Sequence, residues 1–104
     1  MNILIIDTAD NRKNIIGLRI NNREYFQTKN VVLNKTQIIL PMIDKILKKH
    51  DVKIKNLSAI EVNVGPGSYT GLRVGLTIAN ALSFDLKIPI NGKKCGEIIL
   101  PIYT

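Results

Sequence analysis

The chain has 104 residues, of which 45% are hydrophobic and 22% charged, and this composition is typical of one folded globular domain. Its longest uninterrupted apolar run, Ile3–Ile6, is too short to cross a membrane, and no signal peptide is expected, because Asp7 interrupts the apolar segment. The single cysteine, Cys95, excludes an internal disulfide and is compatible with a reducing cytoplasm.

The chain is basic. Fifteen lysines and arginines against eight acidic residues give a formal net charge of +7. Such a balance can indicate an anionic partner such as RNA. A solvated, lysine-rich surface is the simpler alternative, and it is favoured because the lysines form no continuous run and no aromatic residues lie between them.

Three antiparallel strands are predicted at the start of the chain. The apolar run Asn2–Thr8 ends in a polar pair, which is typical of a central strand buried on both faces. Asn14–Ile20 and Arg23–Lys29 flank the pair Asn21-Asn22, whose residues tolerate positive φ. A hairpin with a two-residue turn is therefore predicted.

A first helix is predicted over Thr36–His50, where apolar residues recur at helical spacing. Pro41 indicates either a kink or a helix that begins near Leu40. The polar segment Asp51–Asn56 is predicted to be a connector. The apolar stripe of this helix consists of Ile39, Ile43, Ile46 and Leu47, with Met42 beside it.

The stretch Ala59–Leu86 predicts a short strand, a glycine-bearing turn and a long apolar helix. Apolar residues alternate with other residues along the strand and stop at Gly65-Pro66-Gly67. Ser68 or Thr70 can cap the helix that follows. Beyond the helix, Lys87–Asn91 predicts a short strand, and a final helix is predicted over Cys95–Ile102. The resulting order, β-β-β-α-β-α-β, predicts an α/β fold with a mixed sheet covered by helices.

The long helix carries a small residue at every fourth position, and these positions stack into one ridge. Its two interior glycines cost roughly 1 kcal/mol each against alanine, so close packing must offset that cost. The neighbour is either the protein's own sheet or another subunit, and the short chain favours the second, because two apolar helices would otherwise be exposed. Gly75→Arg is then expected to abolish partner binding without unfolding the domain. The ridge consists of Gly71, Gly75, Ala79 and Ser83.

The stretch Gly65–Gly92, GPGSYTGLRVGLTIANALSFDLKIPING, closely resembles the signature of the TsaB (YeaZ-type) family. Met1–Ala9 resembles the opening strand of that family and Thr36–Leu47 its first helix. The resemblance implies a ribonuclease-H-like (actin/sugar-kinase-like) domain. It also implies that residues 1–104 correspond to the amino-terminal half of the family, without the second domain.

The resemblance implies a non-catalytic, cytoplasmic scaffold subunit for synthesis of threonylcarbamoyladenosine on tRNA. In that family the related TsaD subunit carries the metal and transfers the group, and TsaE supplies ATPase activity. No cofactor is expected here, because TsaB lacks the metal-ligand histidines of TsaD. An older label for the family is glycoprotease-like peptidase homologue.

The expected partner is a TsaD-like subunit, bound through a helix bundle, with TsaE and tRNA contacted through the complex. A homodimer is expected in isolation. The expected interface comprises Ile39, Ile43, Leu47, Gly71, Leu72, Gly75, Leu76, Ala79, Leu82 and Ser83. Two positions depart from the family pattern: Lys35 replaces a usual histidine, and Lys93-Lys94-Cys95 replaces a small, serine-rich segment.

The turn before the long helix has an alternative interpretation as an anion-binding loop, because backbone N–H groups at a helix start attract anions. Such a loop would comprise Gly65, Gly67, Ser68, Thr70 and Arg73. It lacks the lysine of a Walker loop, so a tight strand-to-helix turn is favoured. The matching alternative function is a kinase-like nucleotide-binding enzyme that uses Asp7 and the Gly65–Gly71 loop.

Other catalytic alternatives are weaker. Ser68 is not a nucleophile elbow, because Pro66 and Thr70 occupy positions that need glycine. One histidine and one cysteine cannot provide a usual zinc ligand set. Asp7 is expected to accept hydrogen bonds within a turn rather than to bind magnesium.

Overall fold

The first three strands form an antiparallel meander, as predicted. In the computed structural model, which describes residues 1–10, 12–30, 36–94 and 98–102, these strands are β1 (Asn2–Asp7), β2 (Lys13–Ile20) and β3 (Arg23–Asn30). β1 pairs with β2, and β2 pairs with β3 in a register that places Ile20 opposite Arg23. The predicted two-residue hairpin turn is confirmed.

A fourth strand and two helices complete a mixed sheet. β4 (Ala59–Val62) runs parallel to β1, so the strand order is β3-β2-β1-β4. Helix α1 (Thr36–Lys49) connects β3 to β4, and helix α2 (Tyr69–Leu86) follows β4. Helix α1 packs over β2 and β3, whereas α2 packs over β1 and β4. The predicted α/β arrangement of antiparallel strands, a parallel strand and a crossover helix is confirmed.

Helix α1 begins at Thr36, as predicted, whereas the segment after it differs from the prediction. The helix includes Pro41, so the alternative start near Leu40 is excluded. The predicted connector contains a short 3₁₀ helix, Ile54–Asn56. Within the part of the chain that the structure describes, no helix is both long and apolar enough to span a bilayer.

Both helices cover the same face of the sheet. Leu4 lies opposite Leu18 and Ile6 opposite Ile16, so side chains that share this face alternate along β1 and β2. All four side chains are fully buried. The core beneath the helices also includes Ile60 and Val62 from β4, Ile39, Met42, Ile43, Ile46 and Leu47 from α1, and Leu72, Leu76, Ile78 and Ala79 from α2.

Polar side chains occupy part of the opposite face. Arg19 donates two hydrogen bonds to the carboxylate of Glu61, at 2.6 and 3.1 Å, and one to Glu24 at 2.8 Å. These bonds, with those to Glu61 foremost, raise the pKa of the Arg19 guanidinium above its ordinary value. Beside them the ring of Phe26 lies over Gly17, where an added Cβ would be 2.6 Å from the ring. A side chain at position 17 would therefore displace the Phe26 ring from this face of the sheet.

The predicted strand Lys87–Asn91 is reduced to a single bridge. Ile90 pairs in parallel with Ile60, in the predicted direction but without a ladder. Pro89 has no N–H to donate, and Asn91 takes a φ of 49°, so extended pairing ends there. The Asn91 side chain continues the pairing instead, because it accepts from the N–H of Val62 at 2.8 Å and donates to its oxygen at 3.0 Å.

The predicted final helix is wrong over its described part. Residues 98–102 form no helix, and the side chain of Asn80 pairs with both backbone groups of Ile99, at 3.1 and 3.2 Å. The N–H of Ile102 donates to the oxygen of Val64 at 2.7 Å. These contacts hold the segment against α2 and the end of β4. Cys95, where the helix was expected to begin, and Lys35 lie outside the described residues.

Asn91→Ala is expected to lower the free energy of unfolding by about 1–3 kcal/mol, because two backbone groups of β4 lose their partners. Alanine also tolerates the positive φ less well than asparagine. Urea unfolding measures the change. Asn22→Ala, at an exposed position of the hairpin turn, is the control and should stay within about 0.5 kcal/mol of the parent. Equal stability of the two variants would contradict this role of Asn91.

Candidate partner-binding site

A buried hydroxyl joins β1 to α2. Thr8, directly after β1, is 1% exposed. Its Oγ1 donates a hydrogen bond to the backbone oxygen of Gly71, 2.6 Å away, and accepts one from the N–H of Gly75 at 3.1 Å. In a regular α-helix these two backbone groups bond to each other. The Thr8 hydroxyl therefore bridges two groups of the helical hydrogen-bond ladder.

This bridge requires a residue without a side chain at Gly75. A Cβ atom added there would collide with Oγ1 of Thr8 and would lie 3.3 Å from Cγ2 of Ile6. Helix and strand backbones are thus as close as the missing side chain allows. The interior glycine predicted to permit a close approach does so, and the approaching element is β1.

The ridge of small residues therefore packs against the protein's own sheet. Of the two neighbours considered from the sequence, the protein's own sheet is the one observed. The prediction that the ridge faces another subunit is therefore wrong. The physical reason is that the Thr8 hydroxyl bonds directly to the backbone of α2. All four ridge residues are buried: Gly71, Gly75, Ala79 and Ser83.

The glycine-bearing turn before α2 is held by hydrogen bonds from within the chain. The N–H of Gly65, whose φ is 111°, donates to Oδ1 of Asn63 at 2.9 Å. Ser68 donates its N–H to the oxygen of Ala9 at 2.9 Å, and its Oγ accepts from the N–H of Gly71 at 3.3 Å. The predicted helix cap at Ser68 is confirmed, and the turn has the geometry of a tight strand-to-helix connection.

Asp7 takes part in the same network. Its Oδ1 accepts hydrogen bonds from the N–H of Ala9 and from Nδ2 of Asn63, both at 3.1 Å. The expected role as a turn acceptor is confirmed. A cleft of about 310 Å³ lies beside this carboxylate. Its lining consists of Asp7, Ala9, Asp10, Lys13, Ile15, Asn63 and Pro66.

Arg73 lies on the exposed side of α2. Its Nη1 donates to the hydroxyl of Tyr69 at 3.0 Å, and its guanidinium carbon is 5.3 Å from the centre of that ring. Gly67, in contrast, packs against the backbone of Ala9. Four of the five predicted anion-binding residues thus have separate contacts within the chain, and anion binding by this loop stays a prediction.

An open, largely apolar groove of about 360 Å³ lies between the two helices. Leu40 is 52% exposed and Ile54 is 45% exposed, so two large apolar side chains are in contact with water. Lys48 pairs with Asp44 at 2.9 Å, and both are exposed. An apolar centre beside exposed charges is typical of protein interfaces. The groove is lined by Leu40, Ile43, Asp44, Leu47, Lys48, Val52, Lys53, Ile54 and Leu82.

The groove overlaps the predicted interface only in part. Three predicted residues line it: Ile43, Leu47 and Leu82. The other seven are buried within the chain itself: Ile39, Gly71, Leu72, Gly75, Leu76, Ala79 and Ser83. Leu40, Val52 and Ile54 also line the groove and were not predicted from the sequence. Leu40 directly follows Ile39 and lies outside the apolar stripe. Val52 and Ile54 are apolar residues within the connector that was predicted to be polar, and their hydrophobicity could have indicated a contact.

Comparison with known proteins identifies a family for the chain. Residues 30–93 match the family described as TsaD, tRNA N6-adenosine threonylcarbamoyltransferase. The tRNA threonylcarbamoyladenosine biosynthesis protein TsaB of Bacillus subtilis is 33% identical over 114 residues, covering 99% of this chain and 50% of the relative. The protein of that name from Buchnera aphidicola subsp. Baizongia pistaciae is 39% identical over 74 residues, covering 71% and 34%. The chain thus spans about a third to a half of these relatives.

A solved structure has the same fold. YeaZ from Pseudomonas aeruginosa matches with a TM-score of 0.80 and 26% sequence identity. The match covers 86% of this chain and 41% of that chain. The sheet and both helices described above are therefore those of a YeaZ-type domain, as the sequence resemblance predicts.

Gly75→Arg is expected to destabilise the chain by more than about 4 kcal/mol, because an arginine has neither space nor a partner between α2 and β1. This replaces the expectation that the variant stays folded. Circular dichroism during urea unfolding measures the effect. Thr77→Arg, at an exposed position of the same helix, should stay within about 0.5 kcal/mol of the parent. A stable Gly75→Arg protein would show that the ridge is not packed on β1.

Proposed function

Because the chain belongs to the tRNA N6-adenosine threonylcarbamoyltransferase family and is of its TsaB (YeaZ) type, we propose that it supports threonylcarbamoyladenosine synthesis on tRNA as a non-catalytic scaffold subunit. Its partner is a TsaD-type subunit, whose helix enters the groove between α1 and α2 to form a helix bundle. TsaE and tRNA are contacted through the complex. When the chain is alone, a second copy occupies the same groove.

The observation that carries the proposal is the exposed apolar lining of this groove. Helices commonly bind by laying an apolar face into such a groove. Leu40 and Ile54 are each about half exposed, so covering them contributes about 1 kcal/mol apiece. Beneath them, Ile43 and Leu47 belong to the buried core of the chain, which gives the groove a rigid floor.

The hydrogen bonds of the candidate catalytic side chains support a non-catalytic role. The Asp7 carboxylate accepts two hydrogen bonds within its turn, and the Ser68 hydroxyl caps α2. The kinase-like alternative, which assigns nucleotide binding to Asp7 and the Gly65–Gly71 loop, is less well supported, because these groups already have structural partners.

The double variant Leu40→Glu/Ile54→Glu is expected to lose binding to the TsaD-type subunit of the same organism by more than tenfold. Two carboxylates would have to be buried against the apolar groove on binding, which costs several kcal/mol. Both positions are exposed in the free chain, so its stability should change little. Co-purification and native mass measurement, on the chain alone and mixed with the partner, detect the complexes.

The control is Phe84→Glu, which introduces a single carboxylate at a 72% exposed aromatic residue of α2 outside the groove. This variant should bind like the parent. Undiminished binding by the double variant would show that the groove is not the interface. Equal loss of binding in Phe84→Glu would show that the loss is not specific to the groove and would contradict the proposed interface.

A further inference from the structure

A second groove lies on the other flank of α1, between this helix and β3. Its volume is about 410 Å³, and five of its eight lining residues are polar or basic. Because β3 is the last strand of the sheet order, no further strand pairs with it among the described residues. The groove is lined by Gln27, Thr28, Lys29, Ile38, Pro41, Met42, Lys45 and Lys49.

Three lysines and no carboxylate line this groove. Lys29, Lys45 and Lys49 are all exposed, and no ion pair connects any of them to a carboxylate in the described ranges. Lys45 and Lys49 lie four residues apart on one helix, where like charges repel. Three lysines that line one groove without a carboxylate create a positive potential, which a bound anion would neutralise.

The opposite flank of α1 is arranged differently. There Lys48 lies 2.9 Å from Asp44 at the same four-residue spacing, so that pair is neutral. The two flanks also differ in polarity, because the α1–α2 groove is lined mainly by apolar side chains. Helix α1 therefore borders an apolar groove with two lysines and one carboxylate on one side, and a groove with three lysines and no carboxylate on the other.

We propose that the basic groove between β3 and α1 binds the phosphate backbone of an RNA. Lysine is a point-charge binder of phosphate, and amides and hydroxyls such as those of Gln27 and Thr28 are usual additional donors to backbone oxygens. Contacts to phosphate carry no sequence information, so we expect this binding to be independent of sequence. The choice of tRNA as the RNA rests on the proposed function, whereas the inference that the lysine-lined groove binds phosphate does not.

The test measures binding of a fluorescently labelled tRNA transcript to the full chain by anisotropy over a series of salt concentrations. Three lysine–phosphate contacts predict a strong decrease of affinity with salt. In Lys45→Gln/Lys49→Gln, the slope of log affinity against log salt should become shallower by about 2. A fourfold increase in salt should then weaken the parent about 16-fold more than the variant.

The matched control is Lys55→Gln/Lys94→Gln, which removes the same charge from two exposed lysines outside the groove. Its slope should remain that of the parent. Equal losses in the two double variants, or no tRNA binding by the parent at low salt, would overturn the proposal. Displacement of the tRNA by polyglutamate at equal charge concentration would also overturn it, in favour of an acidic protein partner.

Binding of the TsaD-type subunit separates this proposal from the preceding one. Lys45→Gln/Lys49→Gln should bind that subunit normally, whereas Leu40→Glu/Ile54→Glu should bind tRNA normally. If the subunit fails to bind the parent chain while the tRNA result holds, only the scaffold role fails. If the subunit binds and the lysine variant keeps the parental salt slope, only the basic groove fails.

Discussion

The hydroxyl of Thr8, held between the backbone groups of Gly71 and Gly75, sets how closely β1 and α2 approach. A buried hydroxyl is costly without partners, and this one has two. Direct contact with the helix backbone leaves no space for a side chain at Gly75. The roughly 1 kcal/mol that each interior glycine costs the helix is offset by packing that a larger residue would prevent. The rotation of α2 about its own axis follows from this contact.

That rotation decides which side chains of α2 are available to other molecules. With the small residues turned toward β1, Leu82 lines the groove beside α1, and Tyr69 and Phe84 are exposed to solvent. The groove between the helices therefore depends on the contact at Thr8, although neither hydrogen-bond partner of that hydroxyl lines the groove. The two sides of helix α1 also differ from each other, because one borders the apolar groove and the other borders the basic groove.

Much of the fold could be predicted from local patterns. Alternation of apolar residues, the Asn21-Asn22 turn and the Ser68 cap are short-range signals, and each predicted its element correctly. The order of the elements predicted the mixed sheet, and the family resemblance implied a topology that agrees with it. The end of the chain was less predictable, because Asn80 and Asn91 replace regular pairing with side-chain bonds to distant backbone groups. No local pattern in the sequence indicates such partners.

The candidate site shows the same limit. Four-residue spacing predicts that Gly75 allows a close neighbour, but the spacing is the same whether the neighbour is a strand of the chain or another subunit. Only the position of Thr8, distant along the chain from Gly75, distinguishes the two. Leu40 and Ile54 were missed for a related reason: they form one surface only because the segment after α1 folds back beside it.

The most direct measurement is a double-mutant cycle between Thr8 and Gly75, by urea unfolding of Thr8→Ala, Gly75→Ala and the double variant. The packing described here predicts that Gly75→Ala costs the parent about 1–3 kcal/mol, because the new methyl group meets Oγ1 of Thr8. In the Thr8→Ala background that oxygen is absent, so the cost should fall by more than about 1 kcal/mol. Costs that add within about 0.5 kcal/mol would contradict the contact on which the orientation of α2 depends.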